Sequence, residues 1–244
     1  MDLSFKSEDL QIFIPVVVGL LSFLIFWFAQ QSEGLRKRFT TRAGEQGSAR
    51  FIIFTRYLGG LAMGILPAAT YLLLVPGAEF PDLGLLLQGT SLLSVSGFGL
   101  ALILIIFPLV WSNAKKPENL QVYPQIRIFK WDRKLVRENM LSWAVYLLGY
   151  EILFRGVLLF PLVAVLGVWP AIAINIGLYS ATHIPKGSTE TFGAIPFSIV
   201  LCLICLFTGN FWVAFIAHLT MAWTNAWFSL KHHPEMKIIK TSKR

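Results

Sequence analysis

Seven stretches of this chain are apolar and long enough to cross a lipid bilayer, which takes about 20 helical residues, range roughly 17–25. They cover 12–28, 57–74, 92–111, 141–160, 169–183, 195–208 and 211–230. The fifth and sixth are short and need flanking residues or burial among other helices to span. The expected architecture is an all-α polytopic membrane helical bundle of about seven transmembrane helices. Only 14% of the 244 residues are charged against 55% hydrophobic, too few charges to solvate the surface of a soluble domain. That length gives one bundle and no second soluble domain.

The net charge of +8 is unevenly placed. Arg36, Lys37, Arg38, Arg42 and Arg50 follow the first stretch. Lys115, Lys116, Arg127, Lys130, Arg133, Lys134 and Arg137 follow the third, Lys186 follows the fifth, and Lys231, Lys237, Lys240, Lys243 and Arg244 lie in the tail. With seven alternating spans all four groups fall on one side, and the other keeps Lys6 with Asp2, Glu8, Asp9, Glu79 and Asp82. Basic loops stay cytoplasmic, so the N-terminus is expected outside and the C-terminus inside. The basic excess reports topology and attraction to anionic lipid, and no nucleic-acid partner is expected. The first stretch has mixed early charges, too long an apolar run and no small-residue cleavage site, so it is expected to remain as a helix.

Polarity divides the chain. Residues 1–139 form three spans and a basic linker, 140–230 a polar-cored unit, and 231–244 a basic tail. The three spans of the first part hold almost nothing that ionises. Arg56, at the cytoplasmic start of the second span, is expected to snorkel to the interface. Linker residues 125–131 suit either an ordinary loop or a segment lying on the inner membrane surface. Cys202 and Cys205 are expected as two small buried residues one turn apart.

The second part carries Glu151, Arg155, His183 and His218 at or near membrane depth, where ionisable groups are costly and point to function. Glu151 and Arg155, four apart, share a helix face and can pair. Tyr179 lies one turn before His183, and Pro185 and Gly187 end the helix there. His218 and Asn225 lie two turns apart, about 10 Å along one face, and suit the wall of one cavity. A carboxylate and two histidines suit water activation, one group taking the proton and another donating to the oxyanion. The same residue types bind zinc, but no HExxH pattern is present. Interhelical pinning and a hydrogen-bonded histidine at a helix end are the plainer readings.

Residues 141–225 resemble the CPBP family of CAAX proteases and bacteriocin-processing enzymes. Tyr150-Glu151-Ile152-Leu153-Phe154-Arg155-Gly156 is similar to its EExxxR motif with tyrosine in the first place. Tyr179 to His183 is similar to FxxxH, and Thr208 to His218 to the opening of TGNxWxxxxxHxxxN, whose last asparagine is Ala222 here. The resemblance implies an intramembrane endopeptidase that needs no metal or other cofactor, with Glu151, His183 and His218 catalytic. His218 would serve the oxyanion, Arg155 would anchor Glu151, and Tyr150, Tyr179, Glu190 and Asn225 would support them. If a metal such as zinc is used, Glu151, His183 and His218 are the candidate ligands.

The implied partners are the bilayer and a membrane-embedded or lipidated substrate, and the implied location is a bacterial plasma membrane. A phenol, with an ordinary pKa near 10, is a poor base, so Tyr150 leaves three routes open. Glu151 serves as base, Glu190 folds back from the loop after His183, or the protein acts by binding, as an immunity or scaffold factor. A small transporter is the third functional class, disfavoured by the lack of an inverted repeat.

Overall fold

The computed structural model describes residues 4–87 and 91–239, without the side chains of residues 8, 42, 45 and 91. The charges of Asp2, Glu8, Arg42, Lys240, Lys243 and Arg244 used in the topology argument therefore lie outside the described residues. Nearly all of the rest is helical. Helix α1 spans Leu10–Gln31, α2 Glu33–Leu74 with a break at Gly44, α3 Ser91–Ala114, and α4 Pro117–Val122. Helix α5 runs Arg133–Leu166, α6 Val168–Ala181, α7 Ser188–Thr208 and α8 Trp212–His232.

Five of these are long and apolar enough to cross a membrane: α1, the Gln46–Leu74 part of α2, α3, α5 and α7. Helix α6, at 14 residues, is short for a bilayer. Helix α8 has the length, at 21 residues, but His218, Thr220, Thr224 and Asn225 dilute its apolar character. The stretch read as a short sixth span is the 21-residue α7, because the polar residues after Gly187 join the helix. Leu93 and Leu73 are more than four-fifths exposed, and Phe207 nearly three-quarters. Water would penalise such a surface and lipid does not, so the molecule is an integral membrane protein.

Helix α5 is the centre of the bundle. It packs against α2 through glycines: a Cβ on Gly149 would lie 1.9 Å from the Gly60 carbonyl oxygen, and one on Gly60 2.3 Å from that of Val145. Only hydrogen side chains permit so close a crossing. Helix α3 packs along α8, and α6 lies beside α7.

At one end of the bundle Ala49 and Ile53 of α2 pack with Ile126, Ile128 and Trp131 of the linker, and with Leu230 and Met236 beyond. A short parallel pairing, β1 (Lys130–Trp131) with β2 (Lys237–Ile238), ties linker to tail. The linker packs onto the bundle through Ile126 and Trp131, which are fully buried in this cluster, while Phe129 stays exposed. Three of the four basic groups therefore share one end of the molecule.

Candidate active site

Midway along α5 the helix widens into a π turn over Ile152–Val157, directly after Glu151. The Leu158 N–H reaches back five residues to the Leu153 carbonyl at 2.8 Å. Such a turn releases carbonyls from the regular ladder. That of Phe154 accepts from the side chain of Asn175 on α6, which is fully buried. Sequence reasoning passed over Asn175, whose signal was a lone amide in an otherwise apolar helix.

Glu151 and Arg155 are fully buried and paired, Nε to Oε2 at 3.6 Å. Arg155 also donates to Ser198 of α7 at 3.2 Å and lies over the Tyr179 ring at 4.4 Å. The other Glu151 oxygen accepts a hydrogen bond from His218 Nδ1. His218 Nε2 shares a 2.8 Å bond with the Tyr179 hydroxyl. Four helices thus meet in one chain: Ser198, Arg155, Glu151, His218, Tyr179. With a neutral ring the phenol donates to Nε2, and with an imidazolium it accepts, so the chain tolerates a proton on His218.

His183 sits beyond the end of α6. Its Nδ1 lies 3.0 Å from the Tyr179 carbonyl oxygen, which can only accept, so Nδ1 carries the proton and the lone pair of the neutral ring is on Nε2. Thr182 donates to the same carbonyl at 2.7 Å. The Thr182 proton is thereby committed, so the Tyr150 hydroxyl, 2.8 Å from Oγ1, is the donor to it. Tyr150 supports the turn that carries His183.

Two cavities meet here. One, of about 460 Å³, is lined by His183, His218, Glu190, Ala222 and Asn225 among mainly apolar side chains. The other, of about 290 Å³, is lined by Arg56, Gln125, Tyr150 and Thr182, and shares Lys186, His183, His218, Tyr179, Trp143 and Leu147 with the first. Glu190 lies in the first turn of α7, paired with Lys186 at 3.6 Å. Asn225 accepts from Asn119 at 3.0 Å and from Ser229 at 3.1 Å through its amide oxygen, so its NH₂ stays a donor on the wall. Tyr123, outside the spanning helices, has its phenol pushed up to about 12 by burial and then by the Glu190 carboxylate, and is neutral. Glu151 borders neither cavity. It lies behind His218.

Among the described residues no three His, Cys, Asp or Glu side chains are gathered to hold a metal. Glu151, His183 and His218 do not fit as its ligands in this arrangement, because Glu151 and Tyr179 engage both ring nitrogens of His218. Cys202 and Cys205 are buried and free, packed with Ile172, Leu201 and Ala214.

Fold and site define a helical membrane protein with a carboxylate–histidine pair at the edge of an intramembrane cavity. Residues 137–224 match the family model described as Type II CAAX prenyl endopeptidase Rce1-like. That segment, 88 of the 244 residues, contains Glu151, Arg155, His183 and His218, leaves out α1 to α4, and is CPBP or CAAX-protease-like. No curated protein and no solved structure matches the chain.

Proposed function

We propose that the chain is an intramembrane endopeptidase that hydrolyses a peptide bond of a membrane-embedded or lipidated substrate. The observation that carries this reading is His183, whose unprotonated Nε2 belongs to a ring lining both cavities while Nδ1 is fixed to the Tyr179 carbonyl. In this reading His183 Nε2 takes a proton from water as it attacks the scissile carbonyl. For His218 to donate to the developing oxyanion, Nε2 carries a proton and exchanges the Tyr179 hydroxyl for the oxyanion while Glu151 holds Nδ1; until then Tyr179 keeps the ring oriented. The Asn225 amide, one turn from Ala222, supplies a second donor. Glu151 is then a positioning residue, supported by its burial behind His218, and Glu190 borders the substrate space. No step requires a metal or other cofactor.

A survey of new protein termini in membranes of cells expressing the native chain or H183A tests this. Termini made only by the native chain, and cleavage of an S-farnesyl CAAX peptide by the purified protein, are expected. Identical termini in both would overturn the reading. Ala222, on the cavity wall where the family motif has asparagine, favours one alternative: a binding, immunity or scaffold protein on the same fold. In that case the peptide is bound and never cut.

The basic end that gathers linker, tail and the start of α2 supports a cytoplasmic C-terminus. With α6 and α8 crossing inside the bundle, shielded by their neighbours, the span count is seven and the N-terminus is outside. Residues 140–230 then form the catalytic unit, residues 1–139 its membrane frame and linker, and 231–244 a basic tail, in a bacterial plasma membrane.

A further inference from the structure

The widened turn of α5 is held open from outside the helix. In a regular helix the Phe154 carbonyl accepts from the N–H of Leu158, four residues on. Here that N–H goes to Leu153, and the Phe154 carbonyl accepts from the side chain of Asn175 on α6. A carbonyl only accepts, so the NH₂ of Asn175 is the donor. Its amide oxygen accepts from Cys202 of α7, Sγ to Oδ1 at 3.5 Å, which fixes the same orientation from the other side. Asn175 is fully buried, where an amide without an acceptor is costly, so it competes strongly for this carbonyl.

Packing holds α5 on both sides of the turn. Gly149 seats the first half against Gly60 of α2. Val157, Leu158, Leu159 and Leu162 of the second half are fully buried. Between them the turn reaches back five residues where a regular helix reaches four. If the Leu158 N–H returned to the Phe154 carbonyl, one half would turn by about 100° and shift by about 1.5 Å against the other. Glu151 is the last residue before the turn and Arg155 lies within it, so the change would fall on that pair. Asn175 and Tyr179, four apart, share a face of α6. One bonds the backbone of α5 and the other the His218 ring, so α6 is pinned to α5 one turn before it reaches the site.

We propose that Asn175 is a positioning residue: by occupying the Phe154 carbonyl it keeps the turn of α5 wide and so aims the Glu151 carboxylate at His218. It acts through the backbone and lines neither cavity. In its effect on cleavage the proposal rests on the peptidase reading, and in its effect on Glu151 and His218 it does not.

The test uses the full chain in phosphatidylcholine nanodiscs with isotope-labelled histidine rings read by nitrogen NMR. The chain has four histidines, and each signal is assigned by its own substitution. N175A removes the amide and leaves space, and N175L removes it and fills the space. C202A takes away only the weak S–H contact to Oδ1 and is the control. Cleavage of an S-farnesyl CAAX peptide is followed in parallel. In N175A and N175L the His218 Nδ1 signal is expected to move as its carboxylate partner is displaced, with His232 and His233 unmoved. In both, kcat is expected to fall by about 10–10²-fold with KM within about twofold, as a small misplacement of a supporting group does. C202A is expected to keep both readouts.

An unmoved His218 signal in folded N175A and N175L overturns the proposal. So does a shift of all four histidines, which marks a general loss of structure. A His218 shift confined to N175A traces to the space left by truncation and not to the lost donor, and also overturns it. Failure of both variants to assemble where C202A assembles makes Asn175 a determinant of folding alone, with the same consequence. A His218 shift in both variants, with no cleavage even by the native chain, sustains the positioning role and defeats the peptidase reading.

Discussion

The candidate site has an interior and a rim, and they are built on opposite plans. The interior joins Glu151, Arg155, His218, Tyr179 and Ser198 from four helices, all but His218 and Ser198 on α5 and α6, with Glu151 and Arg155 sealed from any cavity. The rim is local: Tyr179, Thr182 and His183 belong to one helix end, steadied by the Tyr150 hydroxyl. The interior holds a fully buried ion pair whose pairing offsets its burial, and the His183 imidazole at the rim lines both cavities. The contrast teaches that the charged residue of a motif can be sealed from the cavities its neighbours line. Glu151 is bonded to His218 and borders neither cavity, while both histidines line them.

The largest expected effect breaks the rim. H183A should lower cleavage of a farnesylated CAAX peptide by about 10²–10⁴-fold, as removal of a general base does, with little change in thermal stability because the side chain is half-buried. A loss of less than tenfold would move the chemistry inward to the interior. Next comes E151Q, which leaves Arg155 buried without its counter-charge and should cost about 3–5 kcal/mol in unfolding experiments in detergent. Adding R155Q should recover part of that loss, and strict additivity of the two changes would show that the pair is not coupled.

G149A tests the frame that holds both regions. Its methyl would meet the Gly60 carbonyl oxygen at 1.9 Å, so a destabilisation of about 1–3 kcal/mol is expected from the forced separation of α2 and α5. Unchanged stability would mean that the crossing opens freely. The smallest effect belongs to Y150F. Loss of one hydrogen bond to Thr182 should cost about 0.5–1.5 kcal/mol and slow cleavage less than tenfold. Abolished cleavage in a folded Y150F protein would place the phenol in the chemistry itself and erase the distinction between rim and support.

Much of this arrangement was legible in one dimension. The i to i+4 spacing announced the Glu151–Arg155 pair, and Pro185 and Gly187 announced the turn that presents His183. His218 and Asn225 do line one cavity, as their helical spacing allowed. The orientation of Glu151 was not legible, because a 3.6-residue repeat assumes a regular helix and the π turn begins at the next residue. Thr182, Asn175 and Ser198 were passed over for a related reason: each serves a partner between 20 and 45 residues away or on another helix, and no local spacing reports such a partner. Arg56 was misjudged because an arginine near a span's end ordinarily reaches water. Here Asn139, Ser142 and Gln125 close over it.

By itself the sequence determined that this chain is a membrane helical bundle with polar groups concentrated in its second half, since hydrophobicity and helical period are local properties of the covalent chain. Which carboxylate oxygen faces which imidazole, that both histidines open on the cavities while Glu151 does not, and whether Arg56 meets water or protein were decided only by tertiary structure. Those outcomes depend on how closely Gly60 lets Gly149 approach and on where one widened turn rotates the rest of α5. They are set by packing between segments far apart in the chain, to which the local pattern of residues is blind.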